Sequence, residues 1–345
     1  MKIIVDAMGG DKAPDEIIKG ALRAADELKI EVVLTGRGEE VLRSIERLGL
    51  TELPKNISIS NAAEIVSMED DPINGVRGKK DSSMSVGLTM LRDGAGDAFV
   101  SAGSTGALLS GATLIVKRIR GIRRAALAPI VPSKSGGFIL IDCGANVECT
   151  PEYLLQFAYM GSYYSEGVLG VSKPRVGLLN NGTESTKGTS LQTETYALLE
   201  AAAADNAINF VGNIEGKEAL LGGCDVLVAD GFSGNIMLKS VEGASLFIMS
   251  ELKSVFTSGF LSKIAALIVK NKFKGLKAKM DPDKVGGTAL LGISKPVVKA
   301  HGSSGEEAMF NAIRQAKNIV ESQITEKLQK NTERMKVDKE VKNDL

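Results

Sequence analysis

The sequence predicts an α/β fold, a mostly parallel sheet covered by helices on both sides, with a helical pair protruding from it. Three observations carry this expectation. Short β-branched runs are apolar on both faces, helical patterns separate them, and several of the runs end in polar glycine turns. The runs are Ile3–Asp6, Glu31–Thr35, Asp97–Ser101, Phe138–Asp142, Arg175–Leu179, Ile208–Gly212 and Asp225–Asp230. Open α/β sheets bind ligands beyond the carboxyl ends of their strands, so the turns at those ends are where chemistry is expected. Four of them, Asp6–Asp11, Ser101–Gly106, Asp142–Asn146 and Asp230–Asn235, are candidates to share one crevice.

With 345 residues, no convincing repeat and no low-complexity linker, residues 1–330 are expected to form a single catalytic domain. A helical excursion is expected over about 235–280, broken near Ser258-Gly259. Glu306–Ile324 reads as a closing helix, and the charged run from Lys327 is expected to fray, with 331–345 a tail. The 42 basic and 42 acidic residues cancel, so the overall charge gives no argument for nucleic acid, and a charged partner must be met by a local patch. The three cysteines and the absence of a secretory pattern fit a reducing cytoplasm. One histidine, far in sequence from every cysteine, does not make a structural zinc site. No segment reaches the roughly 18–20 apolar residues of a membrane span.

The Ser101–Ala107 stretch follows a buried strand and opens a helix near Thr105, leaving N–H groups and hydroxyls directed outward. Such a start suits phosphate. The same residues also suit a tight connection with Ser104 or Thr105 as an ordinary cap. Lys187, in Thr186-Lys187-Gly188, is either a cation for phosphate or a solvated surface lysine. Asn235 follows a glycine at a helix start, where its amide either donates to an oxyanion or caps the helix. His301, in Lys299–Gly305, is either a structural imidazole or a catalytic or phosphate-contacting one. In Gly259–Lys279, Phe260, Leu261, Ile264, Leu267 and Ile268 recur at helical spacing, and lysines at 263, 270, 272, 274, 277 and 279 are accompanied by no acid. That face suits an anionic membrane surface, an acidic carrier protein or a second copy of the chain.

Taken in order, Val5–Asp11, Lys80–Met84, Ser101–Ala107, Asp142–Asn146, Thr186–Gly188, Asp230–Asn235 and His301–Ser304 resemble the acyl-acyl carrier protein:phosphate acyltransferase (PlsX) family. The resemblance spans about residues 1–330. It implies a Rossmann-like fold related to phosphate acetyltransferases and isopropylmalate dehydrogenases. The activity it implies is transfer of a long-chain acyl group from acyl carrier protein to inorganic phosphate, for phospholipid synthesis. No cofactor or metal is called for, because lysine and helix N–H groups supply the positive potential.

Lys187, Asn235 and His301 become the expected catalytic residues. Asp6, Gly9, Gly10, Ser101, Gly103, Ser104, Thr105, Gly106, Asn146 and Asp230 become the expected substrate-binding set. The implied partners are a second copy of the chain, an anionic membrane met peripherally and a downstream glycerol-3-phosphate acyltransferase. The chain departs from the family pattern at Lys12, Ser104, Asn181 and Thr183 and keeps Lys187, Asn235 and His301. Two rival readings are a nicotinamide-dependent decarboxylating dehydrogenase and a non-catalytic membrane scaffold for lipid enzymes. The first lacks a glycine fingerprint with its ribose-binding acid, and the second leaves the strand-end turns without a purpose.

Overall fold

The computed structural model describes residues 1–280 and 286–336, without the side chains of 270–274 and 276–280. The chain opens with β1 (Lys2–Asp6), α1 (Asp15–Glu27), β2 (Glu31–Gly36), α2 (Gly38–Arg47), β3 (Ile57–Asn61), α3 (Pro72–Gly78), α4 (Ser83–Arg92), β4 (Ala98–Ser101) and α5 (Thr105–Gly111). The middle comprises β5 (Ala126–Ala128), β6 (Ile130–Val131), β7 (Phe138–Ile141), α6 (Pro151–Tyr164), β8 (Arg175–Leu179), α7 (Ser190–Ala204), β9 (Asn209–Ile214), α8 (Gly216–Leu220) and β10 (Val226–Val228). Two long helices follow, α9 (Gly231–Thr257) and α10 (Phe260–Met280). The end supplies β11 (Thr288–Leu291), β12 (Val297–Lys299), α11 (Glu306–Ser322) and α12 (Ile324–Lys330).

The strands fall into two sheets, ordered β3-β2-β1-β4-β12-β11-β5 and β6-β7-β10-β8-β9. The run from β3 to β12 is parallel, as is the run from β7 to β9, while β11 and β6 pair antiparallel with their neighbours. Parallel strands bury both faces, which is why Ile3, Ile4, Val5, Phe99, Val100 and Leu140 are all inaccessible. The sequence reading located seven of the strands. It left out β3, whose Ile-Ser-Ile-Ser-Asn pattern is half polar, and the short β5, β6, β11 and β12. Segment β12 returns from the carboxyl end of the chain to lie beside β4, with Lys299 in register with Ser101. That return sets the turn carrying His301 next to the turn at 101–106.

Helix α1 packs on α11 through Gly20, where a Cβ would lie 2.7 Å from the Met309 Cβ. Arg23 seals the pair, stacking 4.2 Å above the Phe310 ring and bonding to Glu307 at 2.7 Å. The run from Lys327 does not fray at its start. Ile324, Leu328 and Met335 are buried, and α12 with a 3₁₀ turn at Thr332–Met335 packs against α6. Three apolar residues among many charges were enough to dock it. Residues 337–345 lie outside the described part of the chain.

Helix α9 has 27 residues, about 40 Å of helix. Gly231 and Gly234, in its first turn, are its buried residues, and α10 folds back along it. The break falls at Ser258-Gly259, as the sequence predicts. Among the described residues no helix is long and apolar enough to cross a membrane. The two helices nonetheless expose large apolar side chains, with Phe260 and Leu261 at the bend 80% and 79% accessible. The lysine side chains at 270, 272, 274, 277 and 279 lie outside the described residues.

The two sheets meet at Asp142, just past β7. Its buried carboxylate accepts from five donors: the backbone N–H groups of Leu127 (2.8 Å), Cys143 (2.8 Å), Ala145 (3.2 Å) and Asn146 (2.7 Å), and Asn146 Nδ2 (3.1 Å). Leu127 lies on β5 of the first sheet, so one side chain ties the sheets together. Burial pushes the Asp142 carboxyl above the usual carboxylate range, and these donors hold it back. Replacing Asp142 with Ala orphans several buried N–H groups at about 1–3 kcal/mol each. The variant is expected to lose about 3–5 kcal/mol of unfolding free energy in urea at pH 7. A loss below about 1 kcal/mol would show that the junction is held elsewhere.

Candidate active site

One wall of the candidate site is built from the carboxyl ends of β1 and β4. Asp6 is buried, and its Oδ2 accepts from Ser101 Oγ at 2.7 Å while Oδ1 accepts from the Met8 N–H at 3.2 Å. Ser101 Oγ in turn accepts from the Gly103 N–H at 3.0 Å. The two turns press so closely that a Cβ on Gly9 would lie 2.6 Å from Asp6 Oδ2 and 2.7 Å from the Gly103 nitrogen. Gly10 takes a φ of +103°, in the left-handed region that favours glycine. Burial raises the Asp6 carboxyl pKa, opposed by hydrogen bonds from Ser83 and Ser101. Ser104 caps α5 by accepting from the Ala107 N–H at 3.5 Å, and Thr105 is exposed at the helix start. Gly106 faces α3, where a Cβ would meet Pro72 Cγ at 2.9 Å.

The turn after β12 completes this wall. The Asp11 N–H donates to the Gly302 carbonyl at 2.8 Å, which fastens the His301 turn to the β1 turn. His301 is exposed, and its Nδ1 lies 2.9 Å from Ser303 Oγ. The Ser303 N–H approaches the same nitrogen at 3.4 Å, which favours the tautomer with its proton on Nε2. Two residues earlier, Lys299 is only 8% accessible. Its Nζ donates to the Ala102 carbonyl at 3.3 Å and to the Ala300 carbonyl. Burial lowers its pKa to about 8, against the opposing pull of Asp11 and Asp6.

The other wall belongs to the second sheet. Asn146 Nδ2 donates to the Ala125 carbonyl at 2.8 Å as well as to Asp142, so its amide nitrogen is spent on the turn. Asp230 caps α9 by accepting from the Ser233 N–H at 2.8 Å. The Gly231 N–H donates to the Asn146 carbonyl at 2.8 Å, locking the two turns together. Helix α9 starts hard against this junction, since a Cβ on Gly234 would lie 2.0 Å from the Asp142 carbonyl oxygen. Asn235 is exposed in the first turn of α9, with side-chain atoms 3.8–3.9 Å from where a Gly144 Cβ would stand. One turn further along, Lys239 pairs with Glu242 at 2.7 Å. The Lys239 charge acts to lower both the Cys143 thiol pKa on this wall and the Lys299 pKa on the other. Burial raises the thiol pKa of Cys143, and that of Cys149 to about 12, leaving neither a ready thiolate.

The structure thus brings Asp6, Gly9, Gly10, Ser101, Gly103, Ser104, Thr105 and His301 to one wall. Asn146, Asp230 and Asn235 stand on the other. Lys187 is at the same carboxyl end of the second sheet, beyond β8, with β10 between β8 and β7. Two strand spacings put the end of β8, where its loop begins, about 10 Å from the end of β7. The loop is tied down by Asn180 Nδ2 donating to the Lys187 carbonyl at 3.0 Å and Asn213 Nδ2 donating to the Glu184 carbonyl at 2.7 Å. Lys187 is exposed, and among the described residues its ammonium forms no ion pair and no hydrogen bond to either wall.

Sequence reasoning missed Lys299, Lys239 and the bridging part played by Asp142. A lysine ending an otherwise apolar Val-Val-Lys-Ala run was a usable signal for the first. The other two depend on which strands become neighbours.

The description "Fatty acid synthesis protein" belongs to the family model that matches residues 1–327. A phosphate acyltransferase of Thermoanaerobacterium thermosaccharolyticum is 44% identical over 333 residues, covering 96% of this chain and 97% of the relative. That of Bacillus licheniformis is 45% identical over 326 residues, covering 94% and 96%. Among solved structures, a phosphotransacetylase from Streptococcus pyogenes superposes with a TM-score of 0.61 at 18% identity, over 94% of each chain. A 4-hydroxythreonine-4-phosphate dehydrogenase from Klebsiella pneumoniae gives 0.52 at 14% identity, over 93% of this chain and 99% of that one. At such identities the structural likenesses speak for the fold alone. The sequence relatives go further, and on their extent the chain belongs to the fatty acid synthesis protein family whose members include these phosphate acyltransferases.

Proposed function

We propose that this enzyme transfers a long-chain fatty acyl group from acyl carrier protein to inorganic phosphate, forming an acyl phosphate for phosphatidic acid and phospholipid synthesis. The observation that carries this reading is the cluster of polar turns at the carboxyl ends of β1, β4 and β12, with the start of α9 seated on the β7 turn of the adjoining sheet, which Asp142 ties to β5. The family and its phosphate acyltransferase relatives support the class of reaction.

In this reading a phosphate oxygen attacks the thioester carbonyl carbon, and the new C–O bond pushes the carbonyl electrons onto oxygen. Collapse of that oxyanion breaks the C–S bond and releases a thiolate, which takes a proton from solvent. Near neutrality about half of the phosphate is already the dianion and a thiol has a pKa of about 8.5, so neither partner demands a strong acid or base. Positioning and charge stabilisation are the main tasks.

Lys187 and the Ser101–Gly106 and Gly9-Gly10 turns hold the phosphate, Asn235 donates to the oxyanion, and His301 is a further phosphate contact. Asp6, Asn146 and Asp230 shape the walls, since an ionised carboxylate repels the anion and the Asn146 amide nitrogen is already engaged. The protein works in the cytoplasm as a homodimer, with the apolar bend between α9 and α10 resting on an anionic membrane. Its product goes to a glycerol-3-phosphate acyltransferase.

Purified protein incubated with palmitoyl-acyl carrier protein is expected to consume thioester only when phosphate is present, with palmitoyl phosphate as product. Lys187→Ala is expected to abolish that product while the circular dichroism spectrum stays unchanged; near-normal turnover removes Lys187 from the mechanism. Asn235→Ala is expected to lower kcat by about 10²–10³ with little change in KM, the signature of a lost oxyanion donor. A rise in KM alone would make Asn235 a binding residue instead. For the membrane contact, the double change Phe260→Asp with Leu261→Asp is expected to abolish co-sedimentation with phosphatidylglycerol vesicles and spare turnover of soluble substrate. Undiminished sedimentation would move the contact elsewhere.

A further inference from the structure

Lys299 is a buried cation without a matching carboxylate. Among the described residues it forms no ion pair, and its ammonium is met by two main-chain carbonyls, those of Ala102 and Ala300. Burying a charge costs several kcal/mol unless it is paired, and a methionine would fill the same space at less cost. The two carbonyls are telling. Ala102 sits inside the Ser101–Gly106 turn and Ala300 immediately precedes His301, so one ammonium spans the two turns that form the first wall.

The charged groups that act on Lys299 come from three elements: Asp11 in the turn after β1, Asp6 at the end of β1, and Lys239 on α9. Its flanking strands β4 and β11 carry no titratable side chain. On α11, which packs over β12, Glu306 and Glu307 are turned to Arg23, and Arg314 stacks near the Phe310 ring at 5.7 Å. His301, two residues on, is occupied at Nδ1 by Ser303.

We propose that Lys299 is a positioning residue for acyl transfer: its ammonium clamps the 101–106 and 301–304 turns at the spacing of the bound phosphate, and the phosphate completes its charge. This deepens the phosphate acyltransferase reading and rests on it. The clamp requires the charged form. A neutral amine has two N–H groups and no net charge, so it holds the turns less firmly and gives nothing to a dianion. With the lysine pKa lowered to about 8, the free protein loses this charge as pH rises through that value. A bound dianion favours the protonated lysine, so the loss is postponed in the phosphate complex.

The test is the pH profile of acyl phosphate formation between about pH 6.5 and 9.5, with phosphate varied at fixed palmitoyl-acyl carrier protein. In the wild-type protein, kcat/KM for phosphate is expected to fall about tenfold per pH unit above the Lys299 pKa, while kcat at saturating phosphate holds to higher pH. Lys299→Arg keeps its charge throughout and is expected to remove that alkaline limb. Lys299→Met is expected to raise KM for phosphate by about tenfold or more near neutrality and to flatten the profile. A limb that persists unmoved in Lys299→Arg, or a wild-type profile without one, overturns the inference. If Lys299→Met fails to fold, the arginine comparison decides alone. Wild-type protein that makes no acyl phosphate at any pH overturns the parent reading, whereas normal turnover with an unmoved limb overturns only the part assigned to Lys299.

Discussion

The carboxylate of Asp142 is the constraint on which the rest of the site depends. The two sheets are joined along the chain where β5 passes through Pro129 into β6, and Leu140 and Asn146 bond back across that junction. Asp142 completes the junction by accepting from a strand of the first sheet and from its own turn in the second. Its turn then seats the start of α9, where two glycines let the helix approach the carbonyl of Asp142 and the turn of Asn146. The orientation of Asn235 thus follows from a side chain that itself faces no substrate.

Around this anchor, charge is distributed unevenly although the chain as a whole is neutral. The acidic groups near the site are spent inward: Asp6 on Ser101 and Met8, Asp142 on its five donors, and Asp230 on the cap of α9. The basic groups are disposed otherwise. Lys299 is met only by carbonyls, Lys187 stands in solvent, and Lys239 has one carboxylate partner. Carboxylates used as local glue and cations left short of partners make a positive potential without a net positive protein, which is what an anionic substrate requires.

The protruding pair α9 and α10 connects the crevice to the surface. The helix whose first turn carries Asn235 continues for 27 residues to the apolar bend at Phe260 and Leu261. One helix therefore has its amino end among the strand-end turns and its far end beside the exposed apolar side chains of Phe260 and Leu261. This continuity is geometric and places no special demand on the sequence between them beyond helical propensity.

How much of this was legible beforehand follows from the range of the interactions involved. By itself the sequence determined seven of the strands, whose apolar residues on both faces mark a covered sheet, and it determined the turns, because glycine and small polar residues at strand ends are local signals. It also determined the break at Ser258-Gly259, again from neighbours along the chain. The half-polar β3, the docked α12 and the division into two sheets were hidden, since each depends on partners distant in sequence. Only the tertiary structure decided that β12 lies against β4, burying Lys299 beneath two turns, and that Asp142 reaches the strand at Leu127. Hydrogen bonds and desolvation act over a few ångströms of space, and residues nearly 200 positions apart become neighbours only when the sheets are assembled.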